Sequence, residues 1–338
     1  MIANEKLSRA RAILKDKSSS LNLYFITREL KVGIARSAKV VDKYCFKAWG
    51  SDVSPELEEF FVKNLERQLD KVLESESYEL EPYDVISDDL PNRLYAYALN
   101  NALSFSDVVT NQIIPGPNNP IKSLADVKNN LWAYCLKMTS SEGCFLIFRK
   151  LSKGKVVTDQ NQTIKEKVSS YFDSTTAELK ASLQESITFD DKLDCLFAEE
   201  EFFVFRKSGF ENIVGLEEEF NEAANDVVDI VKATDLVEGI EHIEALLKES
   251  KSLLKTLSNI AKKGHHHKLN AEEIGKMRDV LHKFEGKALK TTSEGKLLLE
   301  DKIDVGYFIK LLNDYYKQGM VSGDFYGTNS GRLLPISN

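Results

Sequence analysis

LDCLFAEEEFFVFRKSGFENIVGLEEEFNEAANDVVDIV, residues Leu193 to Val231, is where the chain changes character. Its first part holds two short apolar runs rich in aromatics, Leu196-Phe197 and Phe202 to Phe205, parted by Glu199-Glu200-Glu201. Aromatic side chains suit a pleated surface and adjacent carboxylates suit a solvated turn, so the pattern predicts a hairpin with a buried second strand. Lys207-Ser208-Gly209 then breaks the strand, and Phe210 to Ile213 reads as a connector. After Gly215 the reading becomes helical. Glu217, Glu218 and Glu219 stand where the positive end of a helix dipole favours carboxylates. Phe220, Ala223, Ala224, Val227, Val228 and Val231 recur at three- and four-residue spacing, which turns one apolar face inward.

Toward the N-terminus the signals are mainly those of strands. A short helix over 3–16 precedes strands over 21–30 and 40–49. Ser54 caps a helix with Pro55 at its first position, the favoured arrangement, and Leu57, Phe61, Leu65, Leu69 and Val72 give it an apolar stripe. A strand is expected over 93–103, a short helix from Ser106 to Ile114, and a loop at Pro115 to Pro120. Trp132 to Met138 and Cys144 to Leu151 form a hairpin, a second turn at Ser152 to Lys155 leads into Val156-Val157, and 162–172 and 175–185 read as helical. Toward the C-terminus helices dominate: one long helix from Leu236 to Ile260, one from about 271 to 290 capped by Asn270, and one from Val305 to Tyr316. The Gly- and Ser-rich end, from Val321, reads as extended. The expected architecture is α+β, with a mixed or antiparallel sheet domain over 1–215 followed by a mainly helical domain over 216–338 whose short tail returns to a sheet edge.

At 338 residues the chain is long enough for two domains with their own cores, and 42% hydrophobic with 29% charged residues is ordinary for a globular protein. No run approaches the ~18 apolar residues of a membrane span, and no apolar segment follows the basic residues of the first 17, so a cytoplasmic location is expected. Cys45, Cys135, Cys144 and Cys195 have no CxxC spacing and read as reduced thiols.

The net charge of -8 conceals an asymmetry. Asp190 to Leu247 holds 17 acidic and 4 basic residues, whereas Lys248 to Lys290 holds 11 basic and 5 acidic ones. Lys248, Lys251, Lys255 and Lys262 fall near one face of the expected long helix, and Lys263 and Lys268 extend the row. Such lysines neutralise phosphates without reading bases, so these six are the candidate contacts for sequence-independent, salt-sensitive DNA binding. A solvated face opposite a Leu/Ile core would carry the same pattern.

Other chemistry is thinly represented. There is no GxxxxGK[ST] phosphate loop and no GxGxxG after a strand, and no cofactor is indicated. All five histidines lie between 242 and 282; His265-His266-His267 reads as a polar turn, because adjacent histidines do not converge easily on one metal ion. Glu178-Leu179-Lys180, Glu285-Gly286-Lys287 and Glu294-Gly295-Lys296 match the E-x-K of metal-dependent nucleases. About three such triplets arise by chance in a chain so rich in Glu and Lys. A nuclease, or a non-enzymatic scaffold whose basic face meets an acidic protein or a lipid surface, are the alternatives to DNA binding.

Three segments in order, CFLIFRKLSKGKVV, FDDKLDCLFAEEEFFVFRKSGFENIVGLEEEF and FIKLLNDYYKQGMVSGDFYGTNSGRLL, resemble the KwaB family, the cytosolic subunit of the two-protein Kiwa anti-phage defence system. The resemblance spans roughly residues 130 to 334. It rests on Asp194, the strand Phe202 to Phe205, Phe210-Glu211, Leu311-Leu312, Asp314 and Tyr326, with Gly331-Arg332 where the family carries a lysine. The resemblance implies a non-catalytic effector that self-associates, binds DNA and works with a small multi-pass membrane protein at the inner face of the membrane. It implies no catalytic residues, so the lysines above come from charge alone.

Overall fold

The computed structural model describes residues 2–33, 44–75, 78–83, 92–116, 119–151, 156–157, 170–173, 178–181 and 186–328. Among these the chain divides into two compact units, one ending at Leu216 and the other beginning at Glu217.

The first unit is built on an eight-stranded sheet. In chain order its elements are α1 (Ile2–Lys15), β1 (Ser20–Leu30), β2 (Tyr44–Ser51), α2 (Pro55–Leu73), β3 (Glu79–Pro82), β4 (Arg93–Ala98), α3 (Leu103–Asp107) continued by a π-helical turn Val108–Ile113, α4 (Ala125–Lys128), β5 (Leu131–Ser140) and β6 (Gly143–Lys150). The short strands β7 (Val156–Val157), β8 (Ser170–Asp173), β9 (Glu178–Ala181) and β10 (Ser186–Ile187) follow, then β11 (Cys195–Ala198), β12 (Glu201–Val204) and α5 (Lys207–Val214). The sheet order is β2-β1-β5-β6-β11-β12-β4-β3, antiparallel throughout except for the parallel pair β3 and β4. The mixed sheet expected from the hairpin signals is therefore present.

Alternation along the strands supplies two apolar faces. On one face Leu7, Ile13 and Leu14 of α1 and Phe61, Leu65 and Leu69 of α2 pack over Leu23, Phe25, Leu136, Ile147, Leu196 and Phe203. On the other, Phe105 of α3 and Phe210 of α5 meet the rings of Phe46, Phe148 and Phe202 at centroid separations of 5.1 to 6.3 Å. The α2 cap is as read: the Leu57 amide donates to Ser54 Oγ at 3.4 Å.

The β11–β12 turn places Glu199 and Glu200 at φ 49° and 65°, the left-handed region that non-glycine residues occupy at a cost. Lys6 and Arg9 of α1 hold it, Arg9 pairing with the Glu199 carboxylate and Lys6 reaching the Glu201 carboxylate and the Glu199 carbonyl, each at 3.1 Å. Edge strand β2 is covered by side chain and loop. Gln112 accepts from the Ala48 amide and donates to the Phe46 carbonyl, while Gly50 exchanges hydrogen bonds with Asn119 and Ile121.

Three expectations for this unit change. Phe210 to Ile213 lies in helix α5, because Gly209 lets the helix pass against the buried Asp194 carboxylate, and Gly215 at φ 82° ends it. Residues 93–103 leave the sheet after Ala98. Within the stretches read as helices over 162–172 and 175–185, the described residues form the antiparallel pair β8 and β9; the β-prone Tyr171 and Phe172 outweigh the helical period there. The turn at Ser152 to Lys155 and the remainder of those helices lie outside the described residues.

The second unit comprises α6 (Leu216–Ala233), which begins at the last residue of the first, then β13 (Val237–Glu238), α7 (Glu241–Leu247), α8 (Lys251–Lys263), α9 (Ala271–Glu285), β14 (Lys290–Thr291), β15 (Leu297–Leu298), α10 (Lys302–Leu312), β16 (Tyr316–Gln318) and β17 (Phe325–Gly327). Val227, Val231, Leu257, Ile260, Leu281 and Phe308 are buried in it. The single helix expected over 236–260 is three elements. Gly239, at φ 84°, passes so close to the Leu299 carbonyl that no Cβ fits, and Ser250 starts a new helix by accepting from the Leu253 amide at 3.2 Å. Asp301 caps α10, which therefore starts before Val305 and stops at Leu312. The tail pairs β17 with β16 beside it in the chain, and residues 329–338 lie outside the described ones.

Candidate nucleic-acid interface

The six lysines do not share one helix. Lys248 lies in the turn after α7, Lys251, Lys255, Lys262 and Lys263 lie on α8, and Lys268 ends the turn that follows. On a helix of 3.6 residues per turn, residues 251, 255 and 262 fall within about 40° of one another, whereas residue 263 is rotated about 100° away from 262. The opposite side of α8 is fixed by burial of Leu254, Leu257 and Ile260. Two polar contacts lock its rotation: Ser258 Oγ donates to the Phe220 carbonyl of α6 at 3.0 Å, and Asn259 Nδ2 donates to Asn313 Oδ1 at 2.8 Å.

The first of these contacts brings the acidic helix against the basic one. The Lys255 ammonium lies 6.0 Å from the Phe220 ring centroid, and Lys255 and Lys263 are half-buried. Lys251, Lys255 and Lys263 have further interactions within the chain. Lys248, Lys262 and Lys268 are exposed and have no ion pair among the described residues, and Lys251 is exposed. On α6, burial pushes the Glu219 carboxyl up to about 7.

Beyond α8, the three histidines form a 3-10 turn. His265 Nδ1 donates to the Leu312 carbonyl at 3.0 Å and its Nε2 stands 3.5 Å from Asp314. His266 is buried against His267, ring centroids 4.0 Å apart, and burial followed by the neighbouring His267 lowers its pKa. No group of three His, Cys, Asp or Glu side chains among the described residues is arranged to hold a metal ion.

The glutamates of two of the E-x-K triplets are engaged in pairing. Glu285, at the end of α9, accepts from Tyr316 Oη at 3.0 Å and pairs with Lys310. Glu294-Gly295-Lys296 is the turn between β14 and β15, where Lys296 bridges Asp235 at 2.8 Å and Glu294 at 3.4 Å. Those two carboxylates are mostly exposed and share one ammonium, whereas a divalent cation needs several convergent oxygens. The side chains of Glu178 and Lys180 lie outside the described residues.

In the first unit, Asp194 is fully buried. Its carboxylate accepts from Arg149 Nη1 at 2.9 and 3.1 Å and from the Lys150 amide at 2.6 Å, with Arg206 at 3.6 Å. Arg149 turns its other edge to Asp190, at 2.9 and 2.7 Å. Burial raises the Asp194 pKa against the lowering by these donors. Phe210 packs among Tyr83, Tyr97 and Phe202, and Glu211 accepts from Tyr83 Oη at 2.9 Å. Asp194, Phe210 and Glu211 are thus pieces of one buried joint between β11, β12 and α5.

The model of the Kiwa protein KwaB-like family matches residues 128–321. The chain belongs to the KwaB-like family. Membership gives it a role in Kiwa anti-phage defence. The KwaB-like segment begins at the β5–β6 hairpin, includes the Asp194 joint and the lysines of α8, and reaches the loop between β16 and β17. No curated protein and no solved structure matches the chain. No helix among the described residues is long and apolar enough to cross a membrane.

Sequence reasoning passed over Arg149 and Lys150 of this segment. The available signal was a basic pair, FRK, at the end of a strongly apolar strand, with Asp190 and Asp194 shortly before the next strand. A cation beside a strand end needs a counter-charge or a ligand.

Proposed function

We propose that this KwaB-like chain serves anti-phage defence by binding DNA without sequence preference, and that it acts without cutting the strand. The observation carrying this reading is the set of exposed ammonium groups at Lys248, Lys251, Lys262 and Lys268, beside the partly buried Lys255 and Lys263. Lysines arranged along a helix and its following turn neutralise successive phosphates and read no base edges. Helix α6, which carries Glu219, Glu222, Asp226 and Asp229, packs against the same helix through Phe220, and its negative charge disfavours approach of the duplex from that side. The wider proposal, drawn from the family, is that the protein self-associates and works beside a small multi-pass membrane protein at the inner membrane face.

The test is the charge reversal K251E/K255E/K262E. Duplex DNA of any sequence should bind the parent with an affinity that falls steeply with salt. Three phosphate contacts correspond to a slope of about -2.7 in log K against log salt. The triple variant should lose binding at moderate salt while remaining folded; Lys251 and Lys262 are exposed and contribute little to stability, and loss of the Lys255 contact with Phe220 should lower the melting point only slightly. The DNA should remain intact with Mg²⁺ present. Unchanged binding by the triple variant refutes the assignment of these lysines; Mg²⁺-dependent cleavage lost in E294Q refutes the non-catalytic reading.

A further inference from the structure

The turn that follows α8 closes against the end of α10 and leaves a cavity beside α9. Gly264, at φ 67°, ends α8 and sends the chain into the His265–Lys268 turn, and Asn270 then opens α9 by accepting from the Glu273 amide at 3.0 Å. On the other side α10 stops at Leu312, and Asp314 turns the chain at φ 53°. His265 ties the two sides together through its bond to the Leu312 carbonyl. The space they enclose with α9 is about 190 Å³ and lies wholly within the second unit. Leu269, Met277 and Leu312 give it apolar walls, and its polar groups are His265, Lys268, Glu273 and Asp314.

These polar groups are not equivalent. Glu273 is engaged by Lys276, which donates to it at 2.8 Å. A carbonyl can only accept, so His265 Nδ1 carries the proton and Nε2 of the neutral ring is an acceptor. The Asp314 carboxylate, 3.5 Å from that Nε2, has no other side-chain partner among the described residues. The gap exceeds the ~2.7–2.9 Å of a charge-assisted hydrogen bond, so the two stand side by side as acceptors that lack donors. Lys268 is exposed, lines the same cavity and has no ion pair among the described residues. Adjacent acceptors, an apolar slot and one cation thus meet in one place.

A nucleotide answers all three. The cavity is smaller than the ~300 Å³ at which pockets for drug-sized ligands begin, so it suits a single base with its sugar and phosphate outside. Apolar walls and the polarizable sulfur of Met277 suit the face of a ring, and the Lys268 ammonium suits a phosphate. Among the bases guanine alone presents two adjacent donors, N1–H and the N2 amino group, on its Watson–Crick edge. Adenine and cytosine set one donor beside an acceptor, and thymine sets one donor between two acceptors. In a duplex that edge is already paired, so only an unpaired guanine can use it.

We propose that this cavity binds the guanine base of an unpaired nucleotide, whose N1–H and N2 amino group donate to Asp314 and to His265 Nε2 and whose phosphate meets Lys268. Free guanosine monophosphate and an unpaired guanine within a strand share this chemistry; the second source rests on the DNA reading above.

Calorimetric titration of the full chain with guanosine monophosphate tests the site. Saturable binding is expected. Inosine monophosphate, which lacks the N2 amino group, and adenosine monophosphate should bind at least about tenfold more weakly. D314N keeps a side chain that tolerates left-handed backbone but replaces an acceptor by a donor, so it should melt like the parent and lose at least about tenfold in affinity. K268M should weaken guanosine monophosphate and leave guanosine itself unchanged. K251E/K255E/K262E should bind guanosine monophosphate as the parent does. If that variant also keeps its duplex binding, the lysine assignment falls and the cavity stands, so the two readings fail separately. An oligothymidine strand carrying one guanine that binds more tightly than plain oligothymidine, with the difference lost in D314N, identifies a strand as the source. Equal binding of the two strands, with guanosine monophosphate still bound, identifies the free nucleotide. The proposal is overturned if guanosine monophosphate does not saturate the parent, if folded D314N binds it as the parent does, or if adenosine monophosphate binds as tightly.

Discussion

Replacing Glu199 and Glu200 by the residues that a two-residue hairpin turn prefers, as E199N/E200G, should stabilise the sheet unit by about 1–2 kcal/mol. Both glutamates sit at left-handed φ, 49° and 65°, where a residue with a Cβ is disfavoured by roughly 1 kcal/mol or more. Asn tolerates that region and Gly occupies it freely, so most of the strain should be relieved. Against the gain stands the loss of the Arg9–Glu199 pair, which is largely exposed and contributes about 0–1 kcal/mol. The Lys6 bond to the Glu199 carbonyl survives, since it uses the backbone. Both tryptophans, Trp49 and Trp132, belong to the first unit, so fluorescence-monitored melting reports that unit. A unit of this size should gain about 2–8 °C in midpoint. A midpoint that falls, in E199N/E200G and in each single variant alike, would mean that the ion pairs from α1 outweigh the backbone strain, and would refute the reasoning.

Gly209→Ala should cost about 3 kcal/mol, because the added methyl would fall inside the Asp194 carboxylate that Arg149 and the Lys150 amide hold in place. In a double-mutant cycle with Asp194→Ala the two losses should be less than additive in urea unfolding. The second unit should show opposing pH effects. Glu219, raised to about 7 in the folded chain, contributes stability that is present at low pH and lost as pH rises through 7, so E219Q should flatten that decline in melts followed by circular dichroism. His266, whose pKa is lowered by burial, acts the other way: the unfolded chain takes up its proton first as pH falls through about 6.5, so stability drops there and H266Q should remove the drop.

Much of the fold was legible where local pattern and tertiary packing agree. The Cys195–Val204 hairpin, the Ser54-capped helix and the β5–β6 hairpin each carry periodicity and turn chemistry that point one way. The errors fall where a distant residue decides. Gly209 reads as a breaker, yet its missing side chain is what lets α5 pass Asp194. The apolar period from Ile240 to Leu257 runs on through Ser250, and only the Leu299 carbonyl against Gly239 shows why the chain turns before α7. For the candidate site, the lysines were visible as charge, but the packing of Lys255 on Phe220 depends on how α6 meets α8. The meeting of His265, Lys268 and Asp314 in one cavity depends on how α10 closes on the turn after α8, which residue spacing does not encode.

The covering of β2 has a bearing on how copies of this chain can meet. An open edge strand offers unpaired amides and carbonyls that template the addition of another strand without limit. Here Gln112 and the Asn119 to Ile121 segment already occupy outward groups at Phe46, Ala48 and Gly50. The opposite edge, β3, is four residues long, carries Glu79 and Glu81, and ends in Pro82. Strand-by-strand growth is therefore disfavoured at both margins of this sheet, so a copy of the chain that met another there would have to do so through side chains and not by extending the ladder.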